Sequence, residues 1–219
     1  MRLDMESTNG FTAKFDAWNR LVQVSVPSST PGGAPVLFAE YDYDGRGYRI
    51  ANKSYSGGTL SSTRHYYYSN SWQVLEERLN TDTTPDRQFV WGLRYIDDLI
   101  LRDRTTTGTL DERLYALQDG NWNVTTVVNA SGTVQERYEY DPYGQLTVLT
   151  PTFTARSASE FDWETTYCGY RWDAGTALYA VRHRYYSPLL GTWLSRDPIG
   201  YAGGISQLRY SGNDPVMLC

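Results

Sequence analysis

The residues best suited to hold a transition metal are His65, His183, Cys168 and Cys219, and they are scattered along the chain. A structural zinc site takes four such ligands at short, paired spacings. All four would have to converge here, so no metal site is predicted. No Gly-x-Ser-x-Gly elbow, phosphate-binding loop or His-Glu-x-x-His pair occurs either. The Asp-rich YDYDG at 41–45 offers hard oxygen ligands, yet such carboxylates more often cap a turn by accepting backbone N–H bonds. The densest cationic run, Arg182, His183 and Arg184, is interleaved with tyrosines, a composition compatible with a single-strand nucleic-acid platform. It lacks the extended basic groove such proteins need, and the net charge of −5 argues the same way. No nucleic-acid partner and no cofactor are expected.

The elements that carry these residues read as strands. Tyr and Trp number 19 and 7 against 6 Phe. Both have a polar handle, which suits strands packed on one face and wet at one end. With 40% hydrophobic and 21% charged residues the chain is not disordered, and 219 residues fit one large all-β unit or part of something bigger. The opening MRLDMESTNGFTAKFDAW has no apolar core segment, so no signal peptide is predicted in it. No window approaches the ~18 apolar residues of a membrane span. Two cysteines make no disulfide scaffold. The sequons at Asn52, Asn123 and Asn129 are of a kind frequent by chance and carry no weight.

Self-similarity is the main fact. YDYDGRG (Tyr41, Tyr43, Asp44, Gly47) and YEYDPYG (Tyr138, Tyr140, Asp141, Gly144) share the pattern Tyr-x-Tyr-Asp-x-x-Gly. FDAWNRLVQV, from Phe15, has Phe for the second Tyr and Asn for Gly; YYSNSWQVLEE, from Tyr67, has Ser and Trp in place of Asp and Gly. The first copies recur roughly every 25 residues, the period of a stacked or spiralling array. Within a unit, alternation places aromatic rings on one strand face. Asp then opens a tight turn, and Gly or Asn supplies the positive φ that closes it. Each unit is thus a β-hairpin, and single hairpins need neighbours to be stable. SWQVLEERLNTD has a helical spacing at Val74, Leu75 and Leu79, but its phase with the repeat predicts strand. The segments 27–35 and 150–161 read as an insertion and a connector.

These repeats resemble the YD repeats of Rhs proteins, a group that includes wall-associated bacterial proteins, toxin-complex C subunits and animal teneurins. Residues 115–149 are similar to the last shell repeats of that family, and YCGYRWDAGTALYAVRHRYYSPLLGTWLSRDPIGYAGGISQLRYSGNDPV (167–216) is similar to the Rhs repeat-associated core. Core-motif positions are Gly169, Tyr179, Arg182, Arg184, Tyr185, Tyr186, Gly191, Pro198, Gly200, Asn213 and Pro215. The resemblance implies an all-β spiral of antiparallel hairpins forming part of a hollow shell, closed by a C-terminal core plug. It divides the chain into an array (1–149), a connector (150–161) and the core (162–219). Tyr185, Tyr186, Trp193 and Arg184 are then expected to be wall, packed within a sheet.

The resemblance also implies a function: enclosing and presenting a covalently attached C-terminal toxin or other cargo, with neighbouring YD repeats as partners and delivery machinery beyond them. Secretion or cell-surface display as part of a larger exported protein goes with it, and the chain is expected to be a fragment. Two other readings stand beside it. Self-cleaving relatives use an Asp-Pro-x-Gly Asp, here Asp197, with Arg196 next to it; an Asp pair sharing a proton can activate water. The family's second Asp-Pro-x-Gly falls about where the sequence stops at Cys219, and Asp214-Pro215 lies in an earlier element and lacks the Gly. The other reading is a carbohydrate-binding adhesion array, with Trp122 or Trp193 stacking on sugars.

Overall fold

The structure, a computed structural model, describes residues 10–203, 205–213 and 215; Asp214 and Cys219, singled out above, lie outside them. Strands follow chain order without a crossover in one 13-stranded antiparallel sheet. Its first seven strands are β1 (Thr12–Phe15), β2 (Leu21–Val26), β3 (Val36–Tyr43), β4 (Arg49–Ser56), β5 (Thr59–Tyr68), β6 (Val74–Leu79) and β7 (Arg87–Trp91). The rest are β8 (Leu99–Thr105), β9 (Leu110–Gln118), β10 (Val124–Asn129), β11 (Val134–Tyr140), β12 (Leu146–Leu149) and β13 (Ala155–Arg156). A four-stranded sheet holds β14 (Arg171–Asp173), β15 (Leu178–Val181), β16 (Arg184–Ser187) and β17 (Thr192–Trp193). The chain is all-β as expected, and neither sheet closes on itself. The SWQVLEERLNTD segment is strand β6.

One turn recurs down one end of the long sheet. At Asp16, Asp44, Ser69, Asp119 and Asp141 a side-chain oxygen accepts the backbone N–H groups two and four residues on. The backbone N–H of each also bonds the carbonyl four residues on. The residue three on takes positive φ: Asn19, Gly47, Trp72, Trp122 and Gly144. Trp at two of these places is costly for the backbone, and stacking offsets the cost. Trp72 lies 3.9 Å from the Tyr48 ring and Trp122 5.1 Å from the Tyr95 ring.

Past each of the first turns a bulge follows. The register slips between Tyr43↔Arg49 and Asp42↔Ala51, Tyr68↔Val74 and Tyr67↔Glu76, and Trp91↔Leu99 and Val90↔Leu101. The same slip occurs beside Leu21 and Val124. An extra residue per repeat interrupts the ladder and adds right-handed twist. It also disturbs the bonding of a nearby carbonyl, and the second aromatic of the next strand supplies a donor. Tyr43 hydroxyl donates to Leu21 O at 2.7 Å, Tyr68 to Arg49 O at 3.0 Å and Tyr140 to Val124 O at 2.6 Å. Trp91 Nε1 donates to Val74 O at 2.7 Å in the same role. Burial pushes the Tyr140 phenol well above its ordinary range, so it remains a donor at every accessible pH.

The long sheet curls around the short one. Leu178, Tyr185 and Leu194 pack with Phe15, Leu21, Val24 and Tyr41 from the first three strands. On the other side, Tyr179 donates to Gly144 O at 2.9 Å and Tyr186 to Tyr143 O at 2.8 Å, in the turn after β11. A second apolar cluster, centred on Phe89, Leu99, Leu114, Val127 and Trp163, fills the middle of the array.

Deleting one hydroxyl tests the repeat bond. Tyr140→Phe leaves the carbonyl of Val124 without that donor, and the urea midpoint is expected to fall by an amount equivalent to about 1–3 kcal/mol. Tyr201→Phe, at a side chain 80% exposed, serves as the control and leaves the midpoint unchanged.

Candidate functional site

The bulge reverses the simple alternation of strand faces. Counting from the first strand residue after a turn, that residue and the one three places on face inward, as with Leu21 and Val24, or Val124 and Val127. In β6 and β8 the second inward place holds Glu77 and Arg102, both essentially without solvent exposure. Buried ions need partners, and the chain after β13 brings them.

Arg171 Nη1 reaches Glu77 Oε1 at 2.5 Å, and the same guanidinium pairs with Glu164. Arg64 Nη1 bonds Glu77 Oε2 at 2.9 Å and Arg87 Nη1 bonds Glu164 Oε1 at 2.9 Å. Arg102 donates to Glu112 and to the carbonyls of Phe161 and Asp162, each at 2.8 Å, with its guanidinium 5.0 Å from the Trp163 ring centroid. Glu136, fully buried in β11, accepts from Tyr138 hydroxyl at 2.6 Å, from the Glu160 backbone at 3.1 Å and from Ser159, and pairs with Arg156 at 3.0 Å. Residues 156–171 are thereby bolted to the inner face of the array by charge.

Burial raises the carboxyls of Glu77 and Glu164, but the surrounding guanidinia, Arg171 first, outweigh it and hold both below their ordinary range. Sequence reading missed this cluster. Glu76 and Glu77 look equivalent in VLEERL until the bulge at Leu75 decides which one turns inward.

The Asp-Pro-Ile-Gly stretch lies elsewhere, beside an open cleft of about 900 Å³ lined by Asp16, Asp44, His183, Arg196 and Asp197 among others. Asp197 Oδ1 accepts the Ile199 N–H at 3.0 Å, and its carbonyl accepts the Gly200 N–H at 2.9 Å, with Gly200 at φ +61°. Its other oxygen is 3.2 Å from Arg184 Nη1, and the Arg184 guanidinium lies 3.9 Å from the Trp193 ring centroid. The Arg196 carbonyl accepts from Asn19 Nδ2 at 3.2 Å. Asp16 and Asp44 each cap a turn; Asp16 is also paired with Arg20 at 2.7 Å. Burial raises the Asp16 carboxyl, and its bonds from Arg20 more than reverse that.

The other motif residues are distributed through the walls. Tyr41 hydroxyl donates to Asp173 Oδ2 at 3.0 Å. Arg182 pairs with Asp97 at 2.7 Å, and Gly169, at φ +67°, packs so closely on Asp97 that a Cβ would lie 2.6 Å from the Asp97 Cβ. Gly191, at φ +63°, backs onto the Tyr143 ring. Pro198 lines the cleft, Asn213 is in a short 3-10 turn and Pro215 is buried. Trp193 is itself buried against Tyr186 and Tyr210, so it presents no face to a sugar, while Trp122 is occupied by Tyr95 and Arg94. No group of three metal-ligating side chains occurs among the described residues.

No family model matches the chain. It is 31% identical over 215 residues to the tRNA3(Ser)-specific nuclease WapA of Bacillus spizizenii, a match spanning 96% of this chain and 8% of that protein. Over 92 residues it is 40% identical to toxin subunit YenC2 of Yersinia entomophaga, covering 42% of this chain and 9% of the subunit. The chain thus spans under a tenth of these curated relatives. Among solved structures it is similar to the Photorhabdus luminescens Tc holotoxin pore (TM-score 0.72, 21% identity), covering 100% of this chain and 10% of that one. A TcdB2–TccC3 structure matches at TM-score 0.70 and 19% identity, over 99% of this chain and 10% of that one. At those identities the likeness is one of fold.

The ion cluster sets a pH dependence. Both folded-state carboxyls titrate below their ordinary value of 4.5, so their stabilisation is complete above that pH and is lost as pH falls through the lowered values. Urea midpoints of the chain are expected to hold level on the neutral side and drop below about pH 4.5. Glu77→Gln, which leaves three guanidinia short of a carboxylate, is expected to cost about 3–5 kcal/mol at pH 7 and to flatten that acid limb.

Proposed function

We propose that this chain, which by its relatives and its fold is part of an Rhs/YD-repeat protein, serves as wall and inner closure of a shell that encloses a cargo polypeptide. The observation that carries the reading is the charged clamp between the array and residues 156–171, built on Glu77, Glu136 and Arg102. A catalytic site gains nothing from ions that are spent on one another and on backbone carbonyls, even where several of them also line a cavity. A curled wall that must keep an inner lining in one register does, because each buried ion tolerates only its own partner.

In this reading the array, connector and core are residues 1–149, 150–161 and 162–219. The cargo is a covalently attached C-terminal toxin or related domain, the neighbouring partners are further YD repeats, and the whole is exported or displayed at the cell surface. The similarity to a WapA nuclease and a YenC toxin subunit supports a toxin as the kind of cargo. Asp197 is assigned as turn cap and counter-ion of Arg184, and Arg196 as a backbone contact of Asn19. Autoproteolysis is the second reading, favoured by the cleft that gathers Asp16, Asp44, Arg196 and Asp197.

Both readings meet one experiment on the full-length protein that carries this segment. Any polypeptide following residue 219 is expected to resist added protease, and Arg171→Met, which unpins the clamp, is expected to expose it. Equal digestion in both proteins would overturn the enclosure. The parent and Asp197→Asn are both expected to remain uncut at full length; a parent that is cut while Asp197→Asn stays whole would establish the autoprotease instead.

A further inference from the structure

The first strand residue after each turn is aliphatic in Leu21, Val74, Leu99 and Val124, and each is buried. At the same place in β4 stands Arg49, also buried, at 7% exposure. Every other buried guanidinium named above has a carboxylate beside it. Arg49 has none among the described residues. Its Nη1 donates to the Tyr185 hydroxyl at 2.9 Å, and its guanidinium carbon lies 5.3, 5.0 and 5.8 Å from the ring centroids of Tyr41, Tyr66 and Tyr185. These rings soften the burial of the charge without neutralising it, and Nη2 and Nε have no hydrogen-bond partner among the described residues.

Arg49 lines a partly open pocket of about 80 Å³ between β4–β7 and the short sheet. The remaining wall is largely aromatic and aliphatic, including Tyr68, Phe89, Trp91 and Val181. Of the other charged groups there, Arg171 is already paired with Glu77 and Glu164, and Arg182 with Asp97. Arg49 also borders a larger, partly open cavity of about 630 Å³, lined too by Asn52 and by Asp173, whose carboxylate accepts from the Tyr41 hydroxyl. The Asn52 amide oxygen is buried with no partner.

We propose that this cavity is a binding site for a small monocarboxylate, held by Arg49 with its short apolar tail among the rings. A guanidinium with one edge free presents two parallel donors, the fork that a carboxylate accepts. A single uncompensated positive charge matches a monoanion; a phosphate dianion would leave net negative charge in an aromatic box. The volume admits a chain of a few carbons, since a single water needs only about 10–15 Å³ on the same measure. The site is independent of what the shell encloses.

Butyrate is a suitable probe and butyramide its neutral isostere. In calorimetric titration of the purified chain at constant ionic strength, butyrate is expected to bind saturably at one site, with butyramide at least about tenfold weaker. Arg49→Leu restores the residue type used at the equivalent turns and is expected to fold, with an unchanged circular dichroism spectrum and at least about tenfold weaker butyrate binding. The proposal is overturned by the absence of saturable butyrate binding, by equal affinity for butyramide, or by full affinity in a folded Arg49→Leu. The butyrate–butyramide comparison decides the matter even if that variant does not fold.

Discussion

Everything in this molecule depends on one hydrogen bond repeated along the sheet: an aromatic side chain of one strand donating to a carbonyl beside the bulge of the strand before it. The bulge gives the sheet its curl and at the same time weakens its ladder. The hydroxyls of Tyr43, Tyr68 and Tyr140 and the indole of Trp91 repair the ladder at the same places. A strand end without such a donor would bend and lose a bond together, a combination that costs about 1–3 kcal/mol per buried carbonyl. The second aromatic of the Tyr-x-Tyr-Asp pattern is therefore the residue that makes curvature compatible with a bonded backbone.

Curvature creates an inside, and the inside is lined unlike an ordinary core. A closed apolar interior would ask only for fit. This one sets Glu77, Glu136 and Arg102 on the inner face and meets them with Arg171, Arg156 and the carbonyls of residues 161 and 162. Such pairs contribute little net stability compared with an apolar packing of equal volume, but they penalise every misplacement. The short sheet joins both ends of the array, through apolar packing of Tyr185 on one side and the Tyr179 hydroxyl bond to Gly144 on the other.

Much of this was legible in the sequence. The turn chemistry of Asp44 and Asp141, the substitution of Ser69 and Trp72 for Asp and Gly, and the strand at 74–79 all follow from residue types and phase. The turn at Asp119, with Trp122 in the left-handed place, escaped notice because Gln118 replaces its second Tyr. The inner ion cluster escaped for a different reason. Period-two counting assumes an unbroken ladder, and one bulged residue exchanges the faces of Glu76 and Glu77. Long-range partners such as Arg171 to Glu77, separated by 94 positions, leave no local signal at all.

The strict chain order of the long sheet bears on how the molecule comes into being. Each strand bonds only its predecessor and successor, so as the ribosome releases the chain every new hairpin has a finished edge to dock on. Contacts between distant parts are confined to the segment after β13, which touches Leu21 and Tyr41 as well as Tyr143 and Gly144. Growth is thus a running addition at one end, and translation order alone makes the clasp that fixes the final curl arrive after the strands it holds.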